Sequence, residues 1–197
     1  MKSIIASILS TSAFATVNLI IDTDLGFDVD DVGALALAHH FADEGKVNLL
    51  ATMHSTACPL GIAAVHVINA YYGRGDLPIG AYKGDFGKDC NWNQDKYLTT
   101  LIEKYPHLAG DIKDSGDVDD VFNVYPRILE QAEDNSVTIA VIGFPMNIRN
   151  IFRPNGHMDL FKRKVKEVYY MNGYYNFGCA NRNDDGWGLI GPVDGTD

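Results

Sequence analysis

Hydrophobic positions along the chain fall into two alternating patterns. Residues 17–21 form a mostly apolar, largely β-branched run, with Asn18 as its one polar position, that stops at Asp22, as a strand buried on both faces does. Residues 30–44 then switch to helical spacing, with Val32, Leu35, Ala36 and His39 on the inward side and Gly45 as the stop. The alternation repeats: strands are predicted over 47–53, 77–81, 137–142 and 165–171, and helices over 60–72, 95–105, 117–134 and 145–152. Gly, Asp and Asn crowd 84–93, which reads as a loop carrying Phe86 and Trp92. Such an order of elements builds a mostly parallel open sheet with helices on both faces, a Rossmann-like α/β fold. Past Met171 no periodic segment remains, so the pattern is expected to stop before a fold of this kind is finished.

The first fifteen residues stand outside this pattern. Lys2 precedes an apolar run over 4–9 and then Ala13-Phe14-Ala15, the layout of a secretory signal peptide with its small-x-small cleavage site. The expectation is a leader over 1–15, one domain over 16–197 and a secreted, extracellular protein that does not enter the membrane. Hydrophobic residues at 46% and charged residues at 21% fit a globular domain. A formal net charge of -10, with 26 acidic against 16 basic side chains, argues against a nucleic-acid partner and suits a cation. Cys58, Cys90 and Cys179 show no CxxC spacing, which speaks against structural zinc and leaves room for one disulfide and one free thiol.

The chemistry is concentrated where the first strand meets the first helix. Asp22, Asp24, Asp28, Asp30 and Asp31 fall within ten residues, with Gly26 between them to let the backbone turn. In an open α/β sheet this carboxyl edge of the strands is where ligands bind. Crowded carboxylates repel one another, so some hold protons or a cation neutralises them, and many hard oxygen ligands select Ca²⁺ or Mg²⁺ over zinc. A plainer role covers part of the cluster: Asp28 and Asp31 have the spacing of a helix N-cap and its N3 partner. That leaves Asp22 and Asp24 without an explanation. No Walker loop, dinucleotide fingerprint or Gly-x-Ser-x-Gly elbow is present.

The run Asp22-Thr23-Asp24-Leu25-Gly26-Phe27-Asp28-Val29-Asp30-Asp31 resembles the N-terminal signature of the inosine–uridine-preferring nucleoside hydrolase family, in the branch with two extra residues before the paired aspartates. The resemblance continues in Leu49-Leu50-Ala51-Thr52, in 68–80 and in Ile142-Gly143-Phe144-Pro145-Met146-Asn147-Ile148, and covers about 17–180. It implies the nucleoside hydrolase fold and hydrolysis of the N-glycosidic bond of a ribonucleoside, with Ca²⁺ as the cofactor and a small nucleoside as the partner. On that resemblance Asp24 and Asp31 would bind Ca²⁺ through their carboxylates, the backbone carbonyl of Met146 would add a ligand, and Asp28 would lie in the same shell. Asp30 would be the general base. Asp22 would help position the metal or the ribose, Asn147 would hold its turn or contact the sugar, and Met171 and Asn176 would lie near the ribose, with Cys58 standing where the family usually has a ribose-contacting Asn. The family also takes a further Asp ligand, and often a His near the base, from a C-terminal third that has no counterpart before Asp197.

Other residues carry plainer readings. His39 and His40 are adjacent in a helix, so one faces in and one out; His54, at a strand's carboxyl end, is the histidine best placed to approach the site. Phe86 and Trp92 can stack on a base or pack locally. Two alternatives to the hydrolase stand beside it: a non-catalytic relative that binds Ca²⁺ or nucleoside, and an Asp-x-Asp phosphohydrolase. Assembly as a homo-oligomer is left open.

Overall fold

The computed structural model describes residues 15–88, 95–153 and 157–171. Its strands are β1 (Val17–Thr23), β2 (Val47–His54), β3 (Ile79–Ala81), β4 (Val137–Val141) and β5 (Val165–Tyr170). They form one sheet, in the order β3-β2-β1-β4-β5, and every pairing is parallel. The helices are α1 (Asp30–Asp43), α2 (Pro59–Tyr71), α3 (Asp95–Lys104), α4 (Pro106–Ala109), α5 (Val121–Gln131), α6 (Met146–Ile151) and α7 (Met158–Lys164).

Alternation along β1 splits the core in two. Ile20 joins Met53, Val124, Tyr125, Ile139, Ile148 and Phe161, under α5, α6 and α7. Ile21 joins Leu25, Leu35, Ile62, Val65, Ile68 and Leu98, under α1, α2 and α3. Each face of the sheet therefore buries its own layer of helices, as the continuous apolar runs require. From β1 the chain steps outward through β2 to β3, then returns to lay β4 on the other side of β1. The gap between the carboxyl ends of β1 and β4 is thus the topological switch point, where an open sheet leaves a crevice for ligands.

Several boundaries differ from the sequence reading for local reasons. β1 runs on to Thr23, which puts Asp22 inside the strand. The predicted helix over 117–134 divides into a 3₁₀ turn, Ser115–Asp117, and α5. Acids cap both pieces: Asp114 accepts from the Gly116 N–H at 2.6 Å and Asp120 from the Phe122 N–H at 2.9 Å. Pro106 ends α3 and opens the short α4, since proline fits a first turn but not an interior one. α7 has no counterpart among the predicted elements. The cap of α1 is Val29, with no side-chain hydrogen bond, so Asp28 is not a cap and is free for another role. On α1, Ala38 and His39 are buried while Val32 and Ala36 are half-covered. Among the described residues no helix is long and apolar enough to cross a membrane.

Candidate functional site

The two-residue period of β1 sends neighbouring side chains to opposite layers, and this sorts the acids. Asp22, on the Ile20 side, meets α5 and α6: Tyr125 donates its hydroxyl to Oδ2 at 2.7 Å and Asn147 Nδ2 donates to Oδ1 at 2.9 Å. Thr23, on the Ile21 side, turns to α1 and donates through Oγ1 to Asp31 Oδ1 at 2.5 Å. Thr23 Oγ1 in turn accepts the Leu25 N–H at 3.1 Å, which closes the turn leading to Gly26. Gly26 has φ +137°, a conformation that glycine alone adopts readily.

Asp24 follows the strand and shares a carboxyl–carboxyl hydrogen bond with Asp31. Asp28 and Asp30 form a second such pair on the surface. Asp28, Asp30 and Asp31 each offer an oxygen within 4.8 Å of the others. Four acids from one turn and one helix start are thereby gathered, and Tyr97 braces the turn by donating to the Asp28 carbonyl at 2.6 Å.

Crowding and burial set their charge. Burial pushes the Asp31 carboxyl up to about 8, with the Thr23 hydroxyl pulling down and the Asp24 charge pushing up. Burial raises Asp24 to about 6 and Asp22 to about 7, against the hydrogen bonds each accepts. Asp28 rises to about 6, chiefly because it gives its proton to the hydrogen bond with Asp30, and that same bond holds Asp30 below the usual carboxylate range. Each pair keeps a proton where two negative charges would otherwise face each other. A divalent cation neutralises the same charge, and an all-oxygen donor set of this kind fits Ca²⁺ or Mg²⁺.

The remaining residues named from sequence take varied places. Asn147 is buried in the first turn of α6, beside Met146, which opens that helix. Cys58 is buried and disulfide-bonded, and its sulfur lies 3.1 Å from where a Cβ on Gly26 would stand. Met171 follows β5, is 57% exposed, and donates its backbone N–H to the Val141 carbonyl at 2.8 Å. Asn176, Trp92, Cys90 and Cys179 lie outside the described residues, as do residues 1–14. Phe86 packs edge-on against Phe144, which does the same with Phe27, so three loops at this edge interlock through aromatic rings.

Three contributors do not show in the sequence, and a fourth, His54, is visible there by its place at a strand end but not by the contacts it makes. Tyr125 lies 103 residues from Asp22, in a helix whose apolar face gives no sign of a polar task. Thr23 looks like a spacer between two acids, although strand parity aims it at α1. Gly143 lies against Asp24. His54 is fully buried between the acid-bearing turn and the loop after β2, with Nδ1 2.9 Å from the Thr56 carbonyl and Nε2 3.0 Å from the Leu25 carbonyl, and the neutral ring donates its one N–H to one of the two. Desolvation holds its pKa below the usual histidine value.

Gly143 yields a direct prediction. A Cβ there would stand 2.4 Å from the Asp24 backbone nitrogen and 2.8 Å from its side chain, too close for either to remain in place. Gly143→Ala is expected to cost about 2 kcal/mol of stability and to weaken divalent-ion binding at least about tenfold. Thermal melting and calorimetry read the two effects.

No protein-family profile matches the chain, and no curated protein matches it in sequence. Solved structures do. The inosine-uridine preferring nucleoside hydrolase from Bacillus anthracis superposes with a TM-score of 0.62 at 18% identity, over 87% of this chain and 56% of its own. A plant nucleoside hydrolase, PpNRh1, gives 0.55 at 16% identity, over 80% of this chain and 48% of its own. The type III effector protein XopQ, solved with adenosine diphosphate ribose, gives 0.58 at 14% identity, over 80% and 43%. The chain thus has the nucleoside hydrolase-like α/β fold and spans about half the length of the proteins it resembles.

Proposed function

We propose that the protein is a Ca²⁺-dependent nucleoside hydrolase that cleaves the N-glycosidic bond of a ribonucleoside to ribose and free base. The observation that carries the reading is the convergence of Asp28, Asp30 and Asp31, with Asp24 beside Asp31, at the switch point of a nucleoside hydrolase-like sheet. Asp24 and Asp31, paired and largely buried, would hold the ion with Asp28 and the Met146 carbonyl. Bound Ca²⁺ would supply positive charge that acidifies water and grips vicinal hydroxyls.

Asp30 is exposed and lies at the start of α1, and its carboxylate is ionised near neutrality, the state in which a general base accepts a proton. Loss of the base leaves positive charge on the ribose ring, and the surrounding carboxylates stabilise that charge. Asp22 and Asn147 sit beneath them as hydrogen-bonding groups for the sugar, with Met171 and Cys58 at the margins. Asn176 belongs to the same proposal. The acidic chain and its leader-like start fit a secreted enzyme acting on a small molecule.

Asp30→Asn tests the chemistry. With Ca²⁺ saturating, release of free base from inosine or uridine should fall by about 10²–10⁴-fold while calorimetric Ca²⁺ binding persists. Undiminished release would remove Asp30 from the role of base. The fold shared with an ADP-ribose complex favours a second reading, in which a ribose-bearing ligand is bound without turnover. Ligand binding by the wild-type chain without base release would decide for it. Phosphate release from a phosphomonoester with Mg²⁺ would instead mark an Asp-x-Asp phosphohydrolase.

A further inference from the structure

Asn147 is 1% exposed and its two amide ends have unequal surroundings. Nδ2 donates to Asp22 Oδ1 at 2.9 Å and to the His54 carbonyl at 3.3 Å. The His54 carbonyl is always an acceptor and the Asp22 carboxylate is one when ionised, so a flipped amide would set oxygen against oxygen and the orientation with Nδ2 toward both is the favoured one. In that orientation Oδ1 is buried and has no hydrogen-bond partner among the described residues. A buried acceptor without a donor is destabilising, and proteins keep such an atom where something else completes it.

Asp22 can impose this orientation only because its own carboxylate is held. Tyr125, 1% exposed in the core face of α5, donates to the far oxygen, Oδ2, from the side opposite Asn147. The chain of contacts runs Tyr125 hydroxyl, Asp22 carboxylate, Asn147 amide, and it ends at the first turn of α6, one residue from Met146. We propose that Tyr125 is a positioning residue: acting through Asp22, it fixes the Asn147 amide so that Oδ1 is presented as the acceptor for a hydroxyl of a bound sugar. That the donor is a sugar hydroxyl rests on the nucleoside reading above; the orientation of the amide does not.

Tyr125→Phe keeps the ring and removes only the hydroxyl. In the metal-free, ligand-free full chain, hydrogen exchange of the Asn147 side-chain amide, read by nitrogen-15 NMR, should quicken by about tenfold or more as the clamp loosens. Unchanged exchange overturns the proposal. Where base release is measured, Tyr125→Phe should raise KM for inosine by about tenfold with a smaller change in kcat, and Tyr125→Phe with Asn147→Ala should be no worse than Asn147→Ala alone. Additive losses would show that Tyr125 acts by another route and would also overturn it. A wild-type chain that releases no base sinks the hydrolase reading, and the exchange measurement still decides the positioning role. If Tyr125→Phe does not fold, Asp22→Asn breaks the relay one step later and carries the same expectation for exchange.

Discussion

Calcium is expected to raise the melting temperature strongly at pH 8 and weakly at pH 5. In the folded, metal-free chain Asp31, Asp22 and Asp24 have pKa values of about 8, 7 and 6, against 3.8 for an ordinary aspartate carboxyl. A group whose folded value lies above its unfolded value contributes stability below the unfolded pKa and loses it as pH rises through the folded one. The cluster therefore works increasingly against the fold from about pH 4 to pH 8, each tenfold difference in proton affinity being worth about 1.4 kcal/mol. Buried His39 and His54 act in the opposite sense, because their lowered pKa values make protonation unfavourable to the fold at acid pH. Neither is assigned to the ion, so their contribution cancels in the difference between calcium and chelator. At a hundredfold excess over Kd the ion adds about 2.7 kcal/mol, or roughly 5–10 °C in a chain of this size. At pH 5 protons compete for the same oxygens and the shift in melting temperature shrinks. A shift that is equal at both pH values would place the ion elsewhere.

The second large effect comes from a glycine that touches no acid. Gly61 lies in the first turn of α2, and a Cβ on it would fall 2.2 Å from His54 Nε2 and 2.7 Å from the Leu25 carbonyl. Those two atoms lie 3.0 Å apart where the acid-bearing turn packs on β2. In an open helix position glycine to alanine stabilises by up to about 1 kcal/mol, and Gly33 of α1, with nothing within 4 Å of its Cβ position, is the matching control. Gly33→Ala should raise the melting temperature slightly. Gly61→Ala should cost about 3 kcal/mol, lower the melting temperature by roughly 6–12 °C and reduce the calcium response, because Leu25 must move. Melting curves of the two variants, with calcium and with chelator, separate the predictions. Equal behaviour of both would contradict the close packing at His54.

How much of this is legible in the sequence depends on the range of each interaction. The run Ile20-Ile21-Asp22 declares a strand and, to within two residues, its carboxyl end, because apolar continuity and an abrupt acid are local signals. Pro59 and Gly45 likewise mark where α2 begins and α1 has ended. The seven-residue α7 buries only Phe161, too little for a helical period to stand out. Asp117 and Asp120 fall inside one predicted helix although acids of that spacing serve better as caps and turn formers. At the site, the acids from Asp22 to Asp31 are visible because they are neighbours in the chain. Tyr125 and Gly143 are not, since what makes them matter is a contact with a residue more than a hundred positions away. Thr23 lies between, readable from strand parity once Asp31 is placed on the facing helix.

The most direct test is a calorimetric calcium titration of the full chain at pH 8, repeated with Asp31→Asn. The expected result is uptake of one ion by the wild-type protein, with protons released as it binds, and loss of that uptake in the variant. No uptake by the wild-type chain, or uptake that survives loss of the Asp31 carboxylate unchanged, would contradict a calcium site built on these acids.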